Sequence, residues 1–400
     1  MYSMSMVLSH RIELVPTEEQ TQAFIKACGV SRFVYNWALA ECRFFYDEFG
    51  TRPSLNELKR RWNREKPDWA KESPRDANSQ PFADLATAFT NFFREQKKGN
   101  TDQGLPKWKK KGKCRDSFYI ANDKFWVMGK IVKLPLVGKV KMTEELRFAG
   151  KILHGTISRD ADRWFLSIAV EGDFARERTG EGIVGVDLGV KSLATLSTGE
   201  VIIGSKPLKK AQKKLARLQR QLSRKQKGSK NRKKAAMKVA RMHRRIKNIR
   251  LDELHKLTTM LCKNHAVIVI EDLSVKNMVK NHCLARAISD MGFGLFRQLL
   301  IYKSVLYGDD LIIADRWYPS SKTCSHCGYV KADLTLADRI YVCDCCGFTC
   351  DRDENAALNL SRLGYSRIQV CGDGSSDVPC GTRETAIGEA ETAECALVHT

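Results

Sequence analysis

Four short stretches of the chain carry side chains suited to metal and phosphate chemistry. Asp187 ends the strand-like run Ile183-Val184-Gly185-Val186-Asp187, which a glycine turn links to a second strand at Leu193-Ala194-Thr195-Leu196. A carboxylate in so apolar a strand is costly to bury unless a cation meets it. A turn-forming Asp before Gly189 is the plainer alternative. Glu271 and Asp272 follow Ala266-Val267-Ile268-Val269-Ile270, a β-branched run that suits a strand buried on both faces. Open α/β sheets bind ligands at the carboxyl ends of their strands. Glu271, nearer the strand, is the acid expected on the side of Asp187, although a solvated strand end explains both acids equally well. Asp351-Arg352-Asp353-Glu354 precede a small-residue helix beginning near Asn355, where acids also serve as ordinary caps. Together, converging carboxylates suit a two-ion Mg2+ site for phosphodiester hydrolysis, with the ions about 4 Å apart.

The fourth stretch is the most specific. Cys324-Ser325-His326-Cys327 and Cys343-Asp344-Cys345-Cys346 form two C-x2-C pairs fifteen residues apart, each followed by a glycine. That spacing describes a zinc ribbon held by Cys324, Cys327, Cys343 and Cys346. Cys345 and Cys350 are surplus, and His326 is expected beside the site rather than on the metal. Cys28, Cys42, Cys114, Cys262 and Cys283 read as small core residues.

The elements that must position these groups follow from periodicity. Ser9 to Leu14 alternates as a strand, and Pro16-Thr17 with Glu18-Glu19 opens a long amphipathic helix. Further helices are expected over 52–97, broken at Pro67, Pro74 and Pro81. Strand patterning with turn glycines returns over 117–171 and predicts a small β-barrel or curved sheet, interrupted by the N-terminal helices. Asp173–Gly182 reads as a polar linker. Residues 206–250 hold 20 Lys and Arg and neither Asp nor Glu. Leu208, Leu215, Leu218 and Leu222, then Val239, Met242, Ile246 and Ile249, mark two antiparallel helices with a narrow apolar seam. A solvated hairpin would normally mix charge signs, so an all-basic face points to nucleic acid.

The whole chain of 400 residues carries 68 Lys+Arg against 46 Asp+Glu, a net charge of +22, with 43% hydrophobic residues. These values fit a folded protein of two or three domains with a polyanion partner. No apolar run approaches the roughly 20 residues of a membrane span. The N-terminus does not read as a secretory signal, so a cytoplasmic location is expected and a disulfide framework is not. Residues 371–400 hold six acids and one Arg among small residues and read as a disordered tail.

In this order, the motifs resemble the TnpB family of insertion-sequence proteins over about residues 8–365. The likeness rests on Gly185-Val186-Asp187-Leu188-Gly189, Glu271-Asp272-Leu273, Ser320-Ser321-Lys322-Thr323-Cys324, Asp351-Arg352-Asp353 and Asn355-Ala356-Ala357. Arg32-Phe33-Val34-Tyr35-Asn36, Leu105-Pro106-Lys107-Trp108-Lys109, Leu134-Pro135 and Gly138-Lys139-Val140 extend it. The resemblance implies an RNA-guided DNA endonuclease, similar to the compact ancestors of type V CRISPR effectors. It implies an N-terminal barrel over 1–180 with an inserted helical recognition domain at about 17–105. An RNase H-like (RuvC) core would follow over 181–320 with its basic insert at 206–260, then the ribbon at 321–350 and a last core segment at 351–365. Asp187, Glu271 and Asp353 would be catalytic and hold Mg2+, the family motif favouring Asp353 over Asp351. Arg32, Tyr35, Asn36, Lys107, Trp108 and Lys109, with Lys209, Lys210, Lys213, Lys214, Arg217, Arg220 and Arg224 of the basic insert, would meet nucleic acid. The implied partners are a guide ωRNA and target double-stranded DNA, bound by a monomer.

Overall fold

The structure is a computed structural model that describes residues 5–100, 104–335 and 338–372. It divides into two compact units at Asp173/Phe174. The acidic tail falls almost wholly outside the described residues.

The first unit begins with strand β1 (Met6–Val15), whose His10, Ile12 and Leu14 face inward. Helix α1 (Glu18–Phe49) starts at a reciprocal capping box between Thr17 and Gln20 and stops at Gly50, φ 67°. Helices α2 (Leu55–Glu65), α3 (Asp68–Lys71) and α4 (Arg75–Lys97) follow. Pro67 and Pro74 immediately precede α3 and α4, but the break expected at Pro81 is absent. Pro81 is buried inside α4 beside Phe82, Leu85 and Phe89. Burial of that face offsets the one hydrogen bond a proline forfeits.

Strands β2 (Ser117–Ala121), β3 (Trp126–Met128), β4 (Ile131–Leu134), β5 (Gly138–Met142), β6 (Lys151–Asp160) and β7 (Arg163–Gly172) complete a sheet ordered β2-β6-β7-β1-β5-β4-β3. All its pairings are antiparallel. The ladder does not close, because β2 and β3 are both edges joined only by the short turn at 122–124. The expected barrel is therefore an open seven-stranded sheet in its hydrogen bonding, with the helices inserted between β1 and β2.

The second unit is built on a five-stranded sheet ordered β10-β9-β8-β11-β12. Its strands are β8 (Ile183–Asp187), β9 (Ala194–Leu196), β10 (Val201–Ile202), β11 (Val267–Glu271) and β12 (Asp310–Ala314). β8, β11 and β12 run parallel, and β9 and β10 extend the β8 edge antiparallel. Helices α5 (Pro207–Ser223) and α6 (Lys230–Asn264) lie between β10 and β11. Helices α7 (Val275–Met278), α8 (Ala285–Met291) and α9 (Phe293–Tyr307) lie between β11 and β12. Side chains alternate across the parallel strands as a period of two requires. Val184, Val186, Ile268 and Ile270 pack with α6, α8 and α9, while Ile183, Val267 and Val269 face the last helix, α10 (Arg352–Gly372).

The basic insert keeps the span of its sequence pattern but ends short of the residue 260 that the resemblance implies. Leu254, Leu257, Leu261 and Cys262 put the second half of α6 into the core, so only its first half pairs freely with α5. The expected linker is docked rather than loose: Arg176 N–H donates to the Leu306 carbonyl at 2.8 Å and Thr179 Oγ1 to the Lys263 carbonyl at 3.0 Å. Among the scattered cysteines, Cys28, Cys42 and Cys262 are buried as expected. Cys114 is only half-buried and Cys283 is exposed, because each lies in a loop outside the packed elements.

Candidate functional site

Two neighbouring parallel strands deliver the first two acids to one sheet edge. The β8–β11 register pairs Val186 with Ile270, so Asp187 and Glu271 are the next residues along each strand. The third acid arrives on α10, whose close approach is set by glycine. A Cβ at Gly185 would lie 2.0 Å from the Ala357 carbonyl oxygen and 2.5 Å from Ser361 N. A Cβ at Gly364 would lie 2.7 Å from Ile183 Cγ2 and 2.8 Å from Val269 Cγ2. No side chain fits at either contact. α10 therefore lies directly on β8 and β11, with Asp353 in its first turn, where the helix dipole favours an anion.

The acids feel one another. Burial, then the charges of Glu271 and Asp353, push the Asp187 carboxyl well above the usual carboxylate range, and the Arg352 guanidinium only partly opposes them. Among the described residues neither Asp187 nor Glu271 has an ion-pair partner; Asp353 has Arg352 at 3.6 Å. Asp351 accepts the Asp353 N–H at 2.8 Å and so caps α10. Asp272 is differently placed. Arg297 and Arg316 both pair with it and hold its carboxyl below the usual range despite its burial. Three hard-oxygen donors with a single guanidinium, Arg352, beside them fit Mg2+ by donor type and by net negative charge.

The four predicted cysteines come together, their sulfurs all within 4.8 Å of one another. Cys324 and Cys346 Sγ are 3.7 Å apart, and Cys327 and Cys343 Sγ 3.6 Å apart. A tetrahedral ion with metal–sulfur bonds of 2.3 Å requires about 3.8 Å between sulfurs, far longer than a disulfide, so the set fits zinc. Both knuckles are built alike. Gly328 N–H donates to the Cys324 carbonyl and Gly347 N–H to the Cys343 carbonyl, each at 3.0 Å and each with positive φ. β13 (Ile340–Val342) and β14 (Thr349–Asp351) pair antiparallel across the second knuckle. Cys345 and Cys350 stay outside the cluster, and the His326 ring stacks on Phe348.

Ser320 and Asn355, known from the sequence only as motif residues, and Asn359 join the two clusters, a role that the sequence motifs did not assign to them. Asn355 Nδ2 donates to the Thr323 carbonyl at 2.7 Å, and its Oδ1 accepts the Ser325 N–H at 2.9 Å, clasping both neighbours of Cys324. Asn359 Nδ2 donates to the Ser320 and Thr323 carbonyls at 2.8 and 2.6 Å. Ser320 Oγ in turn donates to Glu271. Two asparagines four apart among the small and apolar residues of Asn355-Ala356-Ala357-Leu358-Asn359 were the available signal, and both are buried in the structure.

The candidate nucleic-acid residues divide. Arg32 pairs with Asp116 at 2.9 Å, and Asn36 exchanges two 2.8 Å hydrogen bonds with the Lys109 backbone. Tyr35 is buried beneath the Lys109 ammonium, 4.1 Å above its ring. Lys107 and Trp108 remain exposed. Lys209, Lys210, Lys213, Lys214, Arg217, Arg220 and Arg224 are all exposed on α5 or just after it, and none has an ion-pair partner among the described residues.

The fold and the two clusters define a class: an α/β core with carboxylates at its strand ends, joined to a four-cysteine ribbon. A family described as "Probable transposase" matches residues 166–282, a Cas12f1-like TNB domain residues 293–360, and a helix-turn-helix domain residues 4–51. The segment matched by the last is here β1 and one unbroken helix, α1. A Streptomyces pristinaespiralis protein provisionally named an RNA-guided DNA endonuclease is 39% identical over 374 residues, covering 90% of this chain and 89% of its own. Escherichia coli K12 InsQ, provisionally named likewise, is 34% identical over 394 residues, covering 92% and 95%. The effector in a cryo-EM structure of a Cas12f1–sgRNA–target DNA complex shares the fold with a TM-score of 0.53 at 15% identity, over 90% of this chain and 98% of its own. The chain belongs to the TnpB family. No described helix is long and apolar enough to cross a membrane.

Proposed function

We propose that this chain is an RNA-guided DNA endonuclease of an insertion sequence. In this reading it binds an ωRNA guide and cuts double-stranded DNA beside a short target-adjacent motif. One observation carries the reading: Asp187 and Glu271 end adjacent parallel strands beneath the first turn of α10, which carries Asp353, and burial and then the neighbouring acids raise the Asp187 carboxyl, in a chain of net charge +22. The strand order, three antiparallel strands followed by two parallel ones, supports an RNase H-like core. The names of the relatives support the reaction.

Asp187, Glu271 and Asp353 would hold Mg2+, and their mutual repulsion would favour its uptake. Bound Mg2+ supplies water activation and stabilises the leaving oxygen of a phosphodiester, by two ions in this reading. Cys324, Cys327, Cys343 and Cys346 would hold a structural zinc. The exposed cations of α5, with Lys107 and Trp108, would meet backbone phosphates and bases. Base pairing with the guide would supply sequence specificity while the protein reads duplex shape and the short motif. The working form would be a monomer in the prokaryotic cytoplasm.

The test is to purify the chain from cells carrying its element and sequence the RNA that comes with it. One defined RNA ending in the element's flank, and Mg2+-dependent cleavage of DNA matching it, is the expected result. Absent or random RNA would overturn the guided mechanism in favour of a protein-only transposase. A defined RNA with binding but no cleavage would make the chain a guided repressor.

A further inference from the structure

The carboxyl group of Glu271 is held from outside the sheet. Ser320 Oγ is its hydrogen-bond donor, and Ser320 is itself 4% exposed. Its backbone has no freedom to follow the carboxylate. Ser320 N–H donates to the Tyr318 carbonyl at 2.8 Å, and its own carbonyl accepts from Asn359. The same Asn359 amide takes the Thr323 carbonyl, next to Cys324. Tyr318 OH closes the loop by donating to the Asn359 carbonyl at 3.1 Å. Asn355 holds the far side of Cys324 and stands two residues beyond Asp353 on α10.

A carboxylate at a strand end can turn about its side-chain torsions, and a metal must select one arrangement. A hydroxyl donating to one oxygen fixes the group and leaves the other oxygen free for a cation. We propose that Ser320 is a positioning residue for Glu271, and that Asn355 and Asn359 make this positioning depend on the folded cysteine knuckle at Cys324. The ribbon would then do more than stabilise the chain: its metal would set the affinity of a second metal site. The inference rests on the carboxylate metal site proposed above.

The experiment follows Mg2+ binding directly, by the thermal shift of the full-length chain freed of RNA, with Asp187→Asn as the baseline. Ser320→Ala is expected to raise the half-saturating Mg2+ concentration about tenfold, the effect of losing one hydrogen bond to a charged group. Its zinc content should equal that of the parent. Ser320→Thr, which keeps the hydroxyl, should bring half-saturation back to within about twofold. Chelating zinc from the parent should raise it similarly, and chelation should add little in Ser320→Ala, since the two act through one contact. A parent that responds to Mg2+ with Ser320→Ala matching it would overturn this inference alone. A parent with no Mg2+ response would overturn the metal-site reading and this inference with it.

Discussion

Two basic regions of the chain carry similar residues and use them in opposite ways. Around α1 and residues 105–113, four of the six marked side chains are already engaged: Arg32 by Asp116, Lys109 by Asp84 at 3.4 Å and by the Tyr35 ring, and Asn36 by the Lys109 backbone, while Lys107 and Trp108 stay exposed. Arg43 donates to the Pro106 carbonyl at 3.1 Å and lies 5.1 Å above the Trp108 ring. Along α5 and at its C-cap, seven cations stand exposed with no ion-pair partner among the described residues; Asp290 at the start of α5 accepts the backbone N–H of Lys209, not its ammonium. The difference teaches that a basic motif has to be judged by what neutralises it. The first region uses charge and amide groups to fasten a loop to a helix. The second leaves charge for a partner to satisfy.

That contrast can be broken in three places. The largest effect is expected on α5. Changing its seven Lys and Arg to Gln should weaken nucleic-acid binding on the order of a thousandfold at moderate salt and shrink the salt slope by about five. Its melting temperature should stay close to the parent's. An unchanged slope would place the phosphate contacts elsewhere. Next, Asn36→Ala should cost about 2 kcal/mol of stability, because the Lys109 backbone loses both partners, while the salt slope stays put. Lost affinity with intact stability would instead make Asn36 a nucleic-acid contact. Smallest is the acidic counterpart, Asp187→Asn in metal-free protein. The folded carboxyl titrates above its unfolded value, so its stabilising contribution is complete below the ordinary carboxylate range and fades as pH rises through the raised value. The variant should therefore gain a few degrees over the parent near pH 8 and nothing near pH 4. A constant difference across that range would mean that neither burial nor the neighbouring acids raise the Asp187 carboxyl.

The strand patterns made much of the site legible. A β-branched run and a Gly-Val-Asp run each end in the acid that the register later sets side by side, and C-x2-C spacing names the four sulfurs. Gly185 and Gly364 were unreadable as contacts, since what a missing Cβ makes room for lies about 175 residues away for Gly185, at Ala357 and Ser361. The joining role of Ser320, Asn355 and Asn359 was unreadable for the same reason: their partners are distant carbonyls and one carboxylate, not a local pattern. The helix through Pro81 and the core half of α6 show tertiary burial overriding local signals. Closure of the N-terminal sheet depends on pairing between its two edge strands, which alternation in either strand alone does not specify.

The central claim is that three particular carboxylates, and not their sequence neighbours, form the cutting site. It is tested most directly by guide-matched DNA cleavage in Mg2+ with five single variants: Asp187→Asn, Glu271→Gln, Asp353→Asn, Asp272→Asn and Asp351→Asn. The first three should lose cleavage by about a thousandfold or more while binding guide RNA within a few-fold of the parent. The last two should retain most of it, since Asp272 is bound by two arginines and Asp351 caps a helix. Full cleavage by any of the first three, or loss confined to Asp272→Asn or Asp351→Asn, would contradict the account.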